Sequence, residues 1–345
     1  MLYSFSVKSL ICTTLLVETS PQGLPLGAAC IASSIKADSR TKSDFSVSLI
    51  DFSLEDEEIL LARKNGGVEG VASLLAARLA LKKPDFVCFS VYVWNRVILE
   101  KACLALKKIL PDCLCIAGGP EVTADPLSFD SFDFMIAGQG ERAMVELLAA
   151  ILDENQCLSG KQRWLSLSKP PKSKVVSTPL NHLTNETGRA FGIQGVYASR
   201  RFGNEMRWLS SGSVSKPPKS EVVSTSLNHQ TSEILRACPL PPDMTASPYL
   251  DGTLDPAKYG GALWELARGC PFKCSYCYES KGEKKIAYFP LARLEKEIEL
   301  FARKKIAQVF VLDPTYNASK ERAIKMLRII EKKAPGMFFY FEARA

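Results

Sequence analysis

Between residues 1 and 155, apolar runs of strand length alternate with stretches of helical periodicity, and this alternation limits the possible folds more than any other feature. The runs are Leu10 to Val17, Val47 to Phe52, Phe86 to Val93, Leu114 to Ala117 and Phe134 to Ala137. Between them, Leu24 to Ile35, Gly70 to Leu81, Ile98 to Leu110 and Ala143 to Leu152 carry apolar residues three and four apart, as helices packed on a sheet do. The pattern predicts an α/β domain, a doubly wound, Rossmann-like parallel sheet with helices on both faces. Asn95, just ahead of Val97, is a candidate helix cap.

Ligands of such sheets bind outside the carboxyl ends of the strands. Here those ends carry Ser90 to Asn95, Gly118-Gly119-Pro120-Glu121 and Gly138-Gln139-Gly140-Glu141. Glycine lets a backbone approach a ligand because no Cβ intervenes, and it equally serves tight strand-to-helix turns. Both uses fit these positions.

A second constraint is Cys270-Pro271-Phe272-Lys273-Cys274-Ser275-Tyr276-Cys277, spaced C-x3-C-x2-C directly after the strand-like run Gly261 to Leu266. Three thiolates on one short loop hold three corners of a 4Fe-4S cube and leave the fourth iron open to a chelating ligand. Zinc is the alternative, but a zinc site draws four ligands from two separated knuckles, and no second cysteine pair lies downstream of Cys277. Cys238 is a distant fourth thiol, and the two histidines, His182 and His229, sit in a repeated segment of low-complexity character.

With Tyr276 just before the third cysteine, the loop resembles the cluster motif of the radical S-adenosylmethionine (SAM) superfamily. The resemblance implies that Cys270, Cys274 and Cys277 hold a 4Fe-4S cluster and that Tyr276 lies near the adenine of SAM. The cluster would reduce SAM to release an adenosyl radical, with an electron donor such as flavodoxin or ferredoxin.

Further along, Leu291, Leu294, Ile298 and Phe301 mark a helix, Gln308 to Leu312 a strand, Ala323 to Ile330 a helix and Phe338 to Glu342 a strand. Together with Gly261 to Leu266 this is βαβαβ, the opening of an α/β barrel whose ligand groups sit at the carboxyl ends of its strands. That rule selects Asp313, Thr315, Asn317, Glu342 and Arg344 as SAM-binding candidates. Where the superfamily often carries Gly-Gly-Glu, this chain has Asp313-Pro314-Thr315. Residues 261–345 supply three barrel strands, so the expectation is a truncated reading frame ending in half a barrel.

The N-terminal strands and glycine turns, over residues 10 to 152, resemble the cobalamin-binding domain that precedes many radical SAM enzymes. By that resemblance Ser90, Val91, Gly118, Gly119, Pro120, Gly138 and Gly140 touch the corrin or its nucleotide tail. The loop Glu18 to Gly27 lacks Asp-x-His-x-x-Gly, and residues 1–155 contain no histidine, so cobalt would have no histidine as its lower ligand.

Residues 156–235 form a Ser/Lys/Pro-rich insertion with an internal repeat. Ser168-Lys169-Pro170-Pro171-Lys172-Ser173 recurs as Ser215-Lys216-Pro217-Pro218-Lys219-Ser220, each copy following an Arg-Trp-Leu-Ser. Two copies without an apolar face do not stack as a solenoid; the composition predicts a disordered insertion, followed by a Pro-rich linker over 236–260.

The chain is long enough for two domains of ordinary size. A net charge of +7 is spread without a block of basic residues, which gives no clear nucleic-acid signal. The longest apolar stretches fall short of the roughly 18 residues of a membrane span, and Met1 to Lys8 lacks the features of a signal peptide. Most of the eleven cysteines are scattered as small hydrophobes, which suits a reducing, cytoplasmic setting. The sequence thus predicts a cobalamin-binding radical SAM enzyme that methylates, or otherwise modifies by radical chemistry, an unknown substrate. Its rivals are a non-catalytic cobalamin-binding relic and a zinc-bearing nucleic-acid binder.

Overall fold

The structure, a computed structural model, describes residues 7–158, 193–199, 236–272, 274, 275, 277 and 284–344. In chain order its elements are β1 (Lys8–Leu16), α1 (Leu26–Ala37), β2 (Phe45–Ser53), α2 (Glu57–Ala80), β3 (Phe86–Ser90), α3 (Arg96–Ile109), β4 (Leu114–Gly118), α4 (Pro120–Ala124), β5 (Phe134–Ile136), α5 (Gly140–Leu158) and β6 (Val196–Ala198). There follow β7 (Gly261–Trp264), β8 (Ala267–Arg268), β9 (Ala287–Tyr288), α6 (Leu291–Arg303), β10 (Gln308–Val311), α7 (Lys320–Lys333) and β11 (Phe338–Tyr340). They form two compact units, residues 72–239 and residues 1–71 with 240–345.

In the unit of residues 72–239, β3, β4 and β5 are parallel neighbours, and β6 adds an antiparallel edge against β5. Val87, Phe89, Cys115, Ile116 and Ala117 are buried, as expected for parallel strands covered by helices. Helix α3 buries Leu99, Ala102, Cys103 and Leu106, a stripe of three- and four-residue steps.

In the other unit, β1 and β2 pair in parallel, from Lys8 opposite Phe45 to Leu16 opposite Ser53. A separate parallel sheet runs β11-β10-β7, and β8 pairs with β9 in a short antiparallel hairpin. One core joins Leu16, Leu24 and Ala29 to Trp264, Phe289, Ile298, Phe301, Val309 and Met326. Trp264 and Tyr249 both meet the Phe301 ring edge-on, at centroid separations of 5.8 and 4.9 Å. A Cβ on Gly261 would lie 2.3 Å from the Pro21 Cβ, so only glycine lets the loop after β1 pack on the start of β7.

Beneath that sheet lies a buried polar network. Glu297 of α6 accepts from Ser247 Oγ (2.5 Å), Trp264 Nε1 (2.8 Å) and Arg293 Nε (2.9 Å). Tyr249 donates to the Leu263 carbonyl at 2.6 Å, so the Pro-rich bridge is packed into the core of this unit rather than merely spanning to it.

The five N-terminal strands and the α/β class match the sequence expectation, with local differences. Helix α2 begins at Glu57 instead of Gly70, because Gly67 takes a left-handed φ of 58° and breaks the apolar period. Residues 193–199 lie inside the supposed insertion and contribute β6, where Val196 and Tyr197 are buried despite their polar surroundings. The run Gly261 to Leu266 is strand only as far as Trp264, the end of β7, and the separate β8 begins beyond it at Ala267. Asn95 occupies the N-cap position of α3, but its side chain accepts from the preceding Tyr92 N–H (2.8 Å) and leaves the helix N–H groups uncapped. The repeated segments, with His182 and His229, lie outside the described residues. Among the described residues no helix is long and apolar enough to cross a membrane.

Candidate functional site

The cysteine loop leaves the β7–β10–β11 sheet at its carboxyl end, and the route is fixed one bond at a time. The β7–β10 ladder runs as far as Leu312 N, which donates to the Trp264 carbonyl at 2.9 Å. Next on that side comes Pro314, which has no N–H. There the Asp313 side chain takes over, its Oδ1 accepting from Leu266 N (2.7 Å) and Ala267 N (3.0 Å). The β8–β9 hairpin then closes the base of the loop, with Phe289 N donating to the Leu266 carbonyl at 3.0 Å. Gly269, at φ 91°, makes the left-handed turn into Cys270.

Cys270 is buried, its Sγ 3.9 Å from Thr315 Oγ1, while Cys274 and Cys277 are half-buried and joined by a turn in which Cys277 N donates to the Cys274 carbonyl at 3.2 Å. None of the three is in a disulfide. The Arg344 guanidinium lies 4.0 Å from the centre of the Phe272 ring, inside the loop. Asn317 and Arg344 bond reciprocally, Nδ2 to the Arg344 carbonyl (2.6 Å) and Arg344 N to Oδ1 (2.9 Å). Tyr316 N meets the Glu342 carbonyl at 2.8 Å, so the segments following β10 and β11 are stitched together at the same end of the sheet.

Of the residues expected at this end, Asp313, Thr315, Asn317 and Arg344 therefore hold or border the loop, whereas the Glu342 side chain is exposed and contributes its backbone carbonyl. Tyr276 lies outside the described residues. Burial pushes the Asp313 carboxyl up to about 6, against the two N–H donors that favour its charge; Glu265 adds to the rise and Arg322 opposes it. The sequence pattern did not single out Arg322, which donates to the Phe289 carbonyl and covers the Tyr288 ring at 4.7 Å, or the Arg268–Glu265 ion pair at 2.8 Å. Their signal, arginines beside a short hairpin, appears only once β8 and β9 are paired.

The loop's donor set fits an iron–sulfur cube. Among the described residues no three His, Cys, Asp or Glu side chains converge as ligands of a single metal ion do. A cube takes one thiolate per iron, so its cysteines need not converge on one point as those around one zinc do.

At the strand ends of the unit of residues 72–239 the candidates are mostly backbone. Val91 N donates to the Gly118 carbonyl at 2.8 Å, extending the ladder past Ser90. Gly119 has φ 108°, and a Cβ there would lie 2.5 Å from the Val91 carbonyl oxygen. Gly138 has φ 97° and donates to Thr123 Oγ1 at 2.9 Å. Turn geometry alone thus requires both glycines. Gly118 differs, since its Cβ would meet nothing nearer than the Ile136 carbonyl at 3.6 Å. Pro120 opens α4 and Gly140 opens α5. The loop after β3 also carries a stacked Tyr92–Trp94 pair, ring centres 4.6 Å apart, which residue spacing did not single out.

Residues 13–148 match the model of the B12 binding domain, and residues 264–344 match that of the Radical SAM superfamily. The chain carries a B12-binding domain and a radical SAM domain. It is 27% identical over 263 residues to 2-(S-pantetheinyl)-carbapenam-3-carboxylate methyltransferase of Streptantibioticus cattleyicolor, a match covering 72% of this chain and 30% of that protein. It is likewise 27% identical over 248 residues to the cobalamin-dependent radical SAM methyltransferase TokK of Streptomyces tokunonensis, covering 68% of this chain and 28% of TokK. The chain thus spans about 30% of the length of the curated relatives it matches. Among solved structures it is similar to the radical SAM methyltransferase TsrM from Kitasatospora setae with cobalamin and a 4Fe-4S cluster bound, at a TM-score of 0.52, 16% identity and coverage of 95% of this chain and 53% of that one. The likeness to TsrM is one of fold.

Proposed function

We propose that this chain forms the cofactor-binding part of a cobalamin-dependent radical SAM methyltransferase. The observation that carries this is a loop of three cysteines outside any disulfide, at the carboxyl end of the radical SAM sheet and in the same chain as a B12-binding domain. The two methyltransferase relatives support the same reaction class.

Cys270, Cys274 and Cys277 would hold the cluster. Thr315, Asn317 and Arg344 would border SAM, with Tyr276 beside the adenine and Glu342 at the rim. When bound, the cluster supplies the electron that opens SAM, and cobalamin supplies the methyl-carrying metal. The chain's own residues divide the remaining work. Cys270 is buried on the inner side of the loop, and Asp313 and Thr315 hold that side in place. Ser90, Val91, Gly118, Gly119, Pro120, Gly138 and Gly140 would meet the corrin or its tail. Residues 1–155 contain no histidine, so no histidine of that domain would serve as a cobalt ligand.

The division into a cobalamin domain (1–155), an insertion (156–235), a linker (236–260) and a radical SAM half-barrel (261–345) belongs to this proposal; the matched segments lie within the first and last of these. So do an electron donor of the flavodoxin or ferredoxin kind and a reducing, cytoplasmic setting, which ten cysteines outside disulfides among the described residues suit.

The test is the full chain reconstituted without oxygen, supplied with hydroxocobalamin, SAM and a strong reductant. The expected result is cobalamin retained through gel filtration, with 5′-deoxyadenosine or demethylated SAM as product. Retained cobalamin with SAM untouched would instead identify a carrier.

A further inference from the structure

Asp313 occupies an expensive position. It is 4% exposed, and the charged groups facing it offer no ion pair: Glu265 is bonded to Arg268, and Arg322 of α7 is spent on the Phe289 carbonyl, with the Tyr316 phenol adjoining on its own segment. A buried carboxylate with no ion-pair contact, drawn only by the more distant charge of Arg322, lowers fold stability, and an amide side chain would cost less there. Its compensation is local. One oxygen takes the N–H groups of Leu266 and Ala267, at 2.7 and 3.0 Å, where the chain leaves the β7 ladder for the cysteine loop. Two residues further on, Thr315 Oγ1 sits 3.9 Å from Cys270 Sγ. The segment after β10 therefore grips the loop at two places, ahead of the first cysteine and at that cysteine itself.

We infer that Asp313 is a positioning residue for the cluster: its carboxylate fixes the backbone leading to Cys270 through two charge-assisted hydrogen bonds, at the expense of fold stability. This rests on the cluster assignment made above and adds to it a residue that touches neither cluster nor SAM.

The two roles separate in Asp313→Asn, which keeps an acceptor oxygen and removes the charge. In the full chain reconstituted without oxygen, the measurement is iron release to a chelator, set beside thermal unfolding of the apo chain. At pH 8 the Asn chain should unfold at a higher temperature than wild type and yet release iron roughly fivefold faster, the ratio given by passing from a charge-assisted to a neutral bond. At pH 5, about one unit below the Asp313 pKa of about 6, the two release rates should approach each other. Asp313→Ala, which leaves both N–H groups without an acceptor, should lose stability and iron together.

An Asn chain that holds iron as wild type does at pH 8, or whose faster release tracks lower stability, overturns the inference while leaving the cluster assignment standing. A wild-type chain that takes up no iron and sulfide overturns the assignment itself, and the inference with it.

Discussion

At the carboxyl end of the β7–β10–β11 sheet the candidate ligands are side chains that touch one another: Thr315 reaches Cys270, Arg344 covers Phe272 and Asn317 pairs with Arg344. At the carboxyl ends of β3, β4 and β5 the candidates are backbone turns, and two of their glycines are required by the chain's own geometry. The difference bears on inference from sequence. Cysteine spacing names the chemistry directly, because few structural needs put three thiols on one loop. A Gly-Gly-Pro turn names a conformation, and only the positions that conformation leaves unexplained point to a ligand.

The contrast can be broken first at Glu297. If the radical SAM sheet is held by a side-chain network, Glu297→Ala takes the counter-ion from Arg293, leaves the Trp264 N–H buried without a partner and should cost about 3–5 kcal/mol in urea unfolding of the full chain. A loss below about 1 kcal/mol, as for a surface pair, would show that packing alone holds the sheet.

Asp313 gives the next effect, and it depends on pH. Its folded pKa, about 6, lies above the unfolded value near 4, so its protonation favours the fold: the contribution is full below pH 4 and is lost as pH rises through 6. Wild type and Asp313→Asn should therefore be equally stable at low pH. Above pH 7 wild type should trail by as much as about 3 kcal/mol, read from denaturant midpoints across that range.

The glycines sharpen the other side of the comparison. Gly119→Ala meets both a positive φ and the Val91 carbonyl and should cost roughly 1–3 kcal/mol. Gly118→Ala has room for its Cβ and should change stability by no more than about 0.5 kcal/mol. If the corrin or its tail approaches that backbone, the same change should weaken cobalamin retention. Unchanged retention would remove Gly118 from the cobalamin site.

The strand and helix order was legible wherever the period ran unbroken, as in α3, whose buried stripe follows the expected spacing. It failed where one residue broke the period: Gly67 hid the first half of α2. It failed too where an element was shorter than any period, as with β6, β8 and β9. In the site, the three cysteines and the strand-end residues Thr315, Asn317 and Arg344 followed from spacing and the barrel rule. The grip of Asp313 on Leu266 and Ala267 did not, because it depends on a proline ending one ladder while the opposite strand turns away, a coincidence of two segments nearly fifty residues apart. Nor could composition show that the Pro-rich bridge is packed, since its buried Thr245, Ser247 and Tyr249 find their partners only in the folded unit.

The central claim is that Cys270, Cys274 and Cys277 together hold a four-iron cluster. The most direct measurement is iron, sulfide and zinc per chain in the full protein reconstituted without oxygen, for wild type and for each single Cys→Ala variant. The account predicts about four irons and four sulfides in wild type, lost in every variant. One zinc with no sulfide, or iron retained in the variants, would contradict it.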